Sequence, residues 1–208
     1  MAQDEQTQQL MDFFSDATLQ ELNKQFGNKG EAMHKLFTRQ FEIHYNNYEN
    51  MMPDQLAKRH GINSIFIMAL DDVLCEVRAS FNDLKETVTS IYRNMLLDYL
   101  SAEAAKLEQS DSPWDAFVLW VRKGNDANYN NDYFQVREIE QDKDCFGFDI
   151  QKCFYFDILR EAGKAELGPI ICEYDKVVAD LFEKWIGFSR HETLAAGDSA
   201  CTFRYYKK

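Results

Sequence analysis

An α+β fold is what the sequence predicts: a helical N-terminal part followed by a ββααββ unit with a four-stranded antiparallel sheet. Three observations lead there. Apolar residues recur at three- and four-residue spacing through the first 125 residues. From Tyr133 the spacing changes to two. Two helix-period segments then separate two hairpin-like stretches. A length of 208 residues suits one compact domain, with 1–125 as its helical region and 133–208 as its α+β unit.

The elements follow in order. A first helix is expected from near Asp16 to Gly27, a plausible C′ residue. A second runs from about Lys29 to Met52, with His34 and His44 beside Phe37, Phe41 and Tyr48, where histidines of core or surface are the default. Pro53-Asp54 opens a third, carrying Ile62, Ile65, Phe66, Ala69, Leu70, Val73, Leu74 and Val77. A fourth places Leu84, Val88, Ile91, Met95, Leu96, Tyr99, Leu100 and Leu107 on one stripe. In "SPWDAFVLW" Ser112 reads as an N-cap with Pro113 at the first helical position, and "RKGNDANYNND" reads as a break. "YFQVREIE" and "CFGFDI", joined by "QDKD", form a predicted hairpin that sets Phe146, Phe148 and Ile150 on one face and Cys145 on the other. Helices over "QKCFYFDILREA", ending at Gly163, and "PIICEYDKVVADLFEKW", from Pro169, come next. "SRHETLA" and "ACTFRYY" close the chain as a hairpin around Gly197-Asp198.

Composition narrows the function classes. Hydrophobic residues make up 45% and aromatics 14%, enough for a sizeable core. The formal charge of −12 leaves no general attraction for nucleic acid or anionic membrane, since phosphate binding rests on Lys and Arg. The N-terminus has no basic segment followed by an apolar run, and the longest apolar run, "SIFIMAL", is far short of a membrane span. A cytoplasmic protein without membrane contact is the expectation. Its five cysteines are then expected to be reduced. The aromatic-rich helices also raise the expectation of a homodimer.

Four of the cysteines fall in the last third: Cys145, Cys153, Cys172 and Cys201. On the helix from Pro169, Ile170, Ile171, Tyr174, Val177, Val178, Leu181 and Trp185 make one apolar stripe. Cys172 lies nearly opposite its centre, with Asp175 at the edge one turn on. Placed in the first turn, the Cys172 thiolate would be favoured by unpaired N–H groups and the helix dipole; an inert thiol under a second packing layer is the alternative. Cys153 shares a helix flank with Asp157 and Arg160, which also suits a small residue beside a surface ion pair. A tight Gly197-Asp198 turn pairs Leu194 with Cys201, Glu192 with Phe203 and Arg190 with Tyr205. Arg190, Glu192, Cys201, Phe203 and Tyr205 then share one face, and charges beside Phe and Cys are costly unless paired or used. No CxxC, HxxxH or HExxH is present, and the irregular spacing of Cys153, Cys172, Asp175, His191 and Cys201 does not suggest a metal site.

"DIQKCFYFDILREAGKAELGPIICEYDKVV" and "GFSRHETLAAGDSACTFRYY" set Cys153, Tyr155, Gly163, Glu166, Leu167, Cys172, Asp175, Arg190, Thr193, Gly197, Cys201, Phe203 and Tyr205 in an ordered pattern. With these residues, 145–206 resembles the L-2-amino-thiazoline-4-carboxylic acid hydrolase family. The pattern has Asp directly after its last Cys; this chain has Thr202. The resemblance implies a small-molecule substrate, no cofactor, and hydrolytic opening of a cyclic amidine to an N-carbamoyl cysteine. Such chemistry needs a nucleophile or a base for water, an acid for the leaving group and a cation for the substrate carboxylate. Cys172 is then the expected nucleophile and Asp175 its base or orienter. Cys153 and Glu166 are supporting groups. Arg190 is the carboxylate clamp, with Glu192, Thr193 and Cys201 around the substrate. Two other readings stand beside it: a non-catalytic ligand-binding domain, since the closing "Gly…Cys-x-Phe" hairpin is similar to vinyl-reductase-type sensor domains, and a thiol- or metal-based regulator.

Overall fold

Helix α1 (Ala2–Phe26) starts well before the expected Asp16. The polar run ahead of Asp16 contains no Gly or Pro, and Thr7, Met11, Phe14, Thr18 and Leu22 form one buried stripe at helical spacing. The computed structural model describes residues 2–139 and 142–208. Glu140 and Gln141, at the expected strand end and turn of the first hairpin, lie outside the described residues. Gly27 ends α1 with φ +56°, the left-handed conformation that suits glycine. Helix α2 (Gly30–Tyr48) buries Met33, Phe37 and Phe41, four residues apart. Helix α3 (Gln55–Glu76) is capped by Asp54, whose carboxylate accepts the Ala57 N–H at 2.8 Å. It is buried on every side from Ile65 to Leu70, the mark of a central helix.

Helix α4 (Phe81–Glu108) and helix α5 (Pro113–Asn128) follow. Ser112 occupies the N-cap position of α5, but its hydroxyl donates to Asp115 at 2.5 Å instead of capping the backbone. The helix continues through Arg122–Asn128, where a break was expected. Gly and Asn cost a helix only about 1 kcal/mol or less each, and the buried Phe117, Val118 and Val121 hold it in place.

Strands β1 (Phe134–Ile139), β2 (Cys145–Cys153), β3 (Ile186–Ser189) and β4 (Cys201–Lys207) form one antiparallel sheet in the order β1-β2-β4-β3. The first hairpin is the expected one, with Phe146, Phe148 and Ile150 buried. Cys153, however, ends a strand and does not belong to a helix. Gln135 pairs with Lys152 and Val136 with Ile150, so Gln151 is a bulge. One extra residue reverses the alternation beyond it. Cys153 therefore returns to the core face.

Helix α6 (Phe154–Glu161) ends at Gly163, φ +69°. The single helix expected from Pro169 to Trp185 is instead two: α7 (Gly168–Ile171) and α8 (Glu173–Asp180), with Cys172 at the joint. There ψ flattens to −11° and the Cys172 N–H reaches Gly168 O only at 3.4 Å.

The closing hairpin also differs. Phe188 pairs with Tyr205, two residues away from the expected Arg190 partner, and β3 stops at Ser189. Residues 190–200 form a loop in which Thr193 Oγ1 accepts the Ala196 N–H at 3.1 Å and Asp198 accepts the Thr193 N–H at 2.8 Å. These local bonds compete with the ladder and replace the tight turn. A slip of two leaves side chains on the same face, whereas a slip of one would invert them.

The chain divides into two compact units, Met1–Met95 with Tyr155–Glu173, and Leu96–Phe154 with Tyr174–Lys208. In the first, the Phe66 ring packs on Phe14 (4.8 Å between centroids) and on Phe37 (6.1 Å). In the second, Phe117 meets Phe182 and Tyr205 at 5.2 Å and Trp185 at 5.8 Å. Among the described residues, no helix is long and apolar enough to cross a membrane.

Candidate functional site

In the second unit the residue after β3 is Arg190, its side chain only 5% exposed. Burying a guanidinium requires a charge partner. Nη1 donates to Asp175 Oδ2, on α8, and the guanidinium carbon stands 5.2 Å from the Phe203 ring centroid. Phe203 in turn stacks on Phe148 at 4.7 Å. An ion pair thus rests on an aromatic floor built by β2 and β4.

The groups around it are neutral at ordinary pH. Burial, then the Asp175 charge and Tyr99, push the Tyr174 phenol up to about 12. Burial and the Asp175 charge push Tyr205 up as well, against the opposing Arg190. Cys201, on β4 and buried, is also pushed up, mainly by burial, and its sulfur accepts the Leu194 N–H at 3.3 Å. Cys201 is therefore a buried thiol and a poor nucleophile.

Contrary to the expectation, Glu192 does not join this face. It is exposed, its C=O accepting the Thr202 N–H at 3.1 Å, because β3 ends three residues earlier. Thr193 serves as the cap of the following turn. Cys153 is half-buried against the core of this unit.

In the first unit Cys172 is half-buried. It is not in the first turn of the helix through Pro169 but ends α7 and immediately precedes α8, so the C-terminal end of α7 opposes the N-terminal end of α8 in any dipole effect on its thiol. Glu166 is exposed on a 3-10 turn, Ala165–Leu167. All five cysteines are thiols. Among the described residues no three His, Cys, Asp or Glu side chains are grouped to hold a metal ion.

Several polar contacts in this unit were missed from sequence. Glu173 is buried and pairs with Lys85 at 3.4 Å. His60 Nδ1 meets the Tyr155 hydroxyl at 2.8 Å. Lys164, inside the "GKAEL" motif, bridges Asp71 at 2.8 Å and Asp72 at 2.6 Å, and His44 Nε2 meets Asp72 at 2.7 Å. The only signal for these in the sequence was the presence of Tyr155 and Lys164 within the motif stretch.

The Lys164 bridge has a testable pH signature. Burial raises the Asp72 carboxyl, but Lys164 and His44 outweigh it and leave it lowered. Its stabilisation is present above the usual carboxylate range, about pH 4, and is lost as pH falls through the depressed value. Lys164→Met is expected to cost about 1 kcal/mol at pH 7. The difference should shrink below about pH 4 in urea denaturation of both proteins; a difference that stays constant down to pH 3 would contradict this.

The family model for L-2-amino-thiazoline-4-carboxylic acid hydrolase matches residues 58–205. No curated protein matches the sequence. Among solved structures, the chain is similar to an H-NOX domain from Shewanella oneidensis determined by NMR in the Fe(II)CO ligation state. The identity is 10%, covering 70% of this chain and 75% of that one, with a TM-score of 0.40.

Proposed function

This chain belongs to the L-2-amino-thiazoline-4-carboxylic acid hydrolase family, and from that premise we propose that it hydrolyses a cyclic amidine such as 2-amino-thiazoline-4-carboxylate to N-carbamoyl cysteine. The observation that supports this most is the buried Arg190, held by Asp175 over Phe203. A planar cation on an apolar floor suits a small, flat, anionic substrate.

The steps are these. The Cys172 thiolate adds to the ring carbon between nitrogen and sulfur, and the ring nitrogen takes a proton. The carbon–sulfur bond of the ring breaks, and the departing thiolate is protonated. Water then adds to the same carbon and gives up one proton to a base. Cys172 leaves as thiolate, the added hydroxyl gives up the second proton, and the water oxygen remains as the carbamoyl carbonyl. One water is consumed, and one new thiol appears in the product. Within the second unit, Asp175 is the candidate base and Arg190 the candidate clamp for a carboxylate.

The test is to incubate purified protein with 2-amino-thiazoline-4-carboxylate in ¹⁸O-water. The expected result is one new thiol per turnover and ¹⁸O in the carbamoyl group of the product. Binding of the compound without thiol release would overturn the hydrolase reading in favour of a ligand-binding domain.

A further inference from the structure

We propose that Asp175 is a stand-in for the substrate carboxylate: it occupies Arg190 in the resting protein, and an anionic ligand displaces it. The inference rests on the reading of Arg190 as the carboxylate clamp. It adds that binding and base activation are one exchange, and that the exchange selects for anionic substrates.

The asymmetry of the pair supports this. Arg190 is 5% exposed and pinned against Phe203, whereas Asp175 is 27% exposed. The carboxylate is therefore the partner that can swing away, and the guanidinium is the one that stays. Several neighbours carry no charge of their own. Tyr174 on α8, with Tyr99 acting on it from α4, and Tyr205 and Cys201 on β4 all remain protonated at neutral pH. Asp198, in the turn before β4, is engaged by the Thr193 N–H at 2.8 Å. A guanidinium already neutralised by Asp175 offers little to a neutral amidine. A carboxylate can replace Asp175 in kind, fork against fork. Once released, Asp175 loses the cation that favoured its charged form and becomes the stronger base for water.

The sign of one measurement separates this from a merely structural role for Asp175. The probes are N-carbamoyl cysteine and its decarboxylated counterpart, N-carbamoyl cysteamine, titrated calorimetrically into the wild type and Asp175→Asn. If the exchange operates, the variant binds N-carbamoyl cysteine about tenfold more tightly, because the competing anion is gone. Binding of the cysteamine compound does not change, and turnover of the aminothiazoline falls. If Asp175 only braces Arg190, the variant binds the carboxylate more weakly or equally, which overturns the proposal. The wild type alone gives a second readout should the variant not fold. N-carbamoyl cysteine should bind the wild type at least about tenfold more tightly than N-carbamoyl cysteamine, and equal binding of the two overturns the exchange. Tighter binding with no turnover in the wild type would remove the hydrolase reading and leave the exchange standing. Normal turnover in the wild type with weaker carboxylate binding in Asp175→Asn would do the reverse.

Discussion

Cys172→Ser is expected to hydrolyse 2-amino-thiazoline-4-carboxylate at least about a thousandfold more slowly than the parent chain. The substitution changes one atom. A thiol is appreciably ionised near neutral pH and its sulfur is intrinsically nucleophilic, whereas a serine hydroxyl without a dedicated base is neither. Because Cys172 is half-buried at the joint of α7 and α8, Ser fits the same space. The thermal midpoint should then move by no more than a few degrees, corresponding to about 1 kcal/mol or less. The discriminating pair of measurements is kcat and the melting curve. Loss of kcat with an intact melt is the expected result, and a variant with unimpaired kcat removes Cys172 as nucleophile.

Arg190→Met is expected to act on both binding and stability. For binding, losing a charge-assisted bidentate contact to the substrate carboxylate should raise KM about a hundredfold, or more where the contact is fully desolvated. For stability, the variant strips Asp175 of the guanidinium that neutralises it. Breaking a fully buried pair costs about 3 to 5 kcal/mol. Asp175 is 27% exposed and partly rescued by water, which brings the expectation to about 2 kcal/mol. Met keeps the length and apolar stem of the side chain over Phe203, so packing loss is small. Urea denaturation and steady-state kinetics on the same preparation check the two effects. A KM within a factor of two of wild type would leave Arg190 as a structural residue alone.

The order and kind of most elements were legible because period and punctuation are local. Asp54, Gly27 and Gly163 act within a turn of their own position, and Phe146, Phe148 and Ile150 alternate as any half-buried strand does. The face shared by Arg190, Cys201, Phe203 and Tyr205 could be read even from the wrong register, since a slip of two does not change sides. The misreadings share a cause. The bulge at Gln151 moved Cys153 into the core, the Thr193 and Asp198 side chains replaced the tight turn and left Glu192 exposed, and the helix through Pro169 parted at Cys172. Each is a local departure, a bulge, a side-chain-held loop or a loosened helical turn, and a pattern averaged over several residues does not register such a departure.

The sequence by itself determined the class of fold, its helical first half and two-hairpin second half, the family, and the roster of thiols and charges from which chemistry can be built. Only the tertiary structure decided which of those charges are neutralised. Arg190 meets Asp175 across fifteen residues, and Lys164 meets Asp71 across ninety-three. The physical reason is that a charge's state depends on its burial and on partners brought close by folding, quantities that no spacing along the chain encodes. Cys201 shows the same division. Its place on the apolar face follows from strand alternation, but its inert, protonated state follows from the burial of that face.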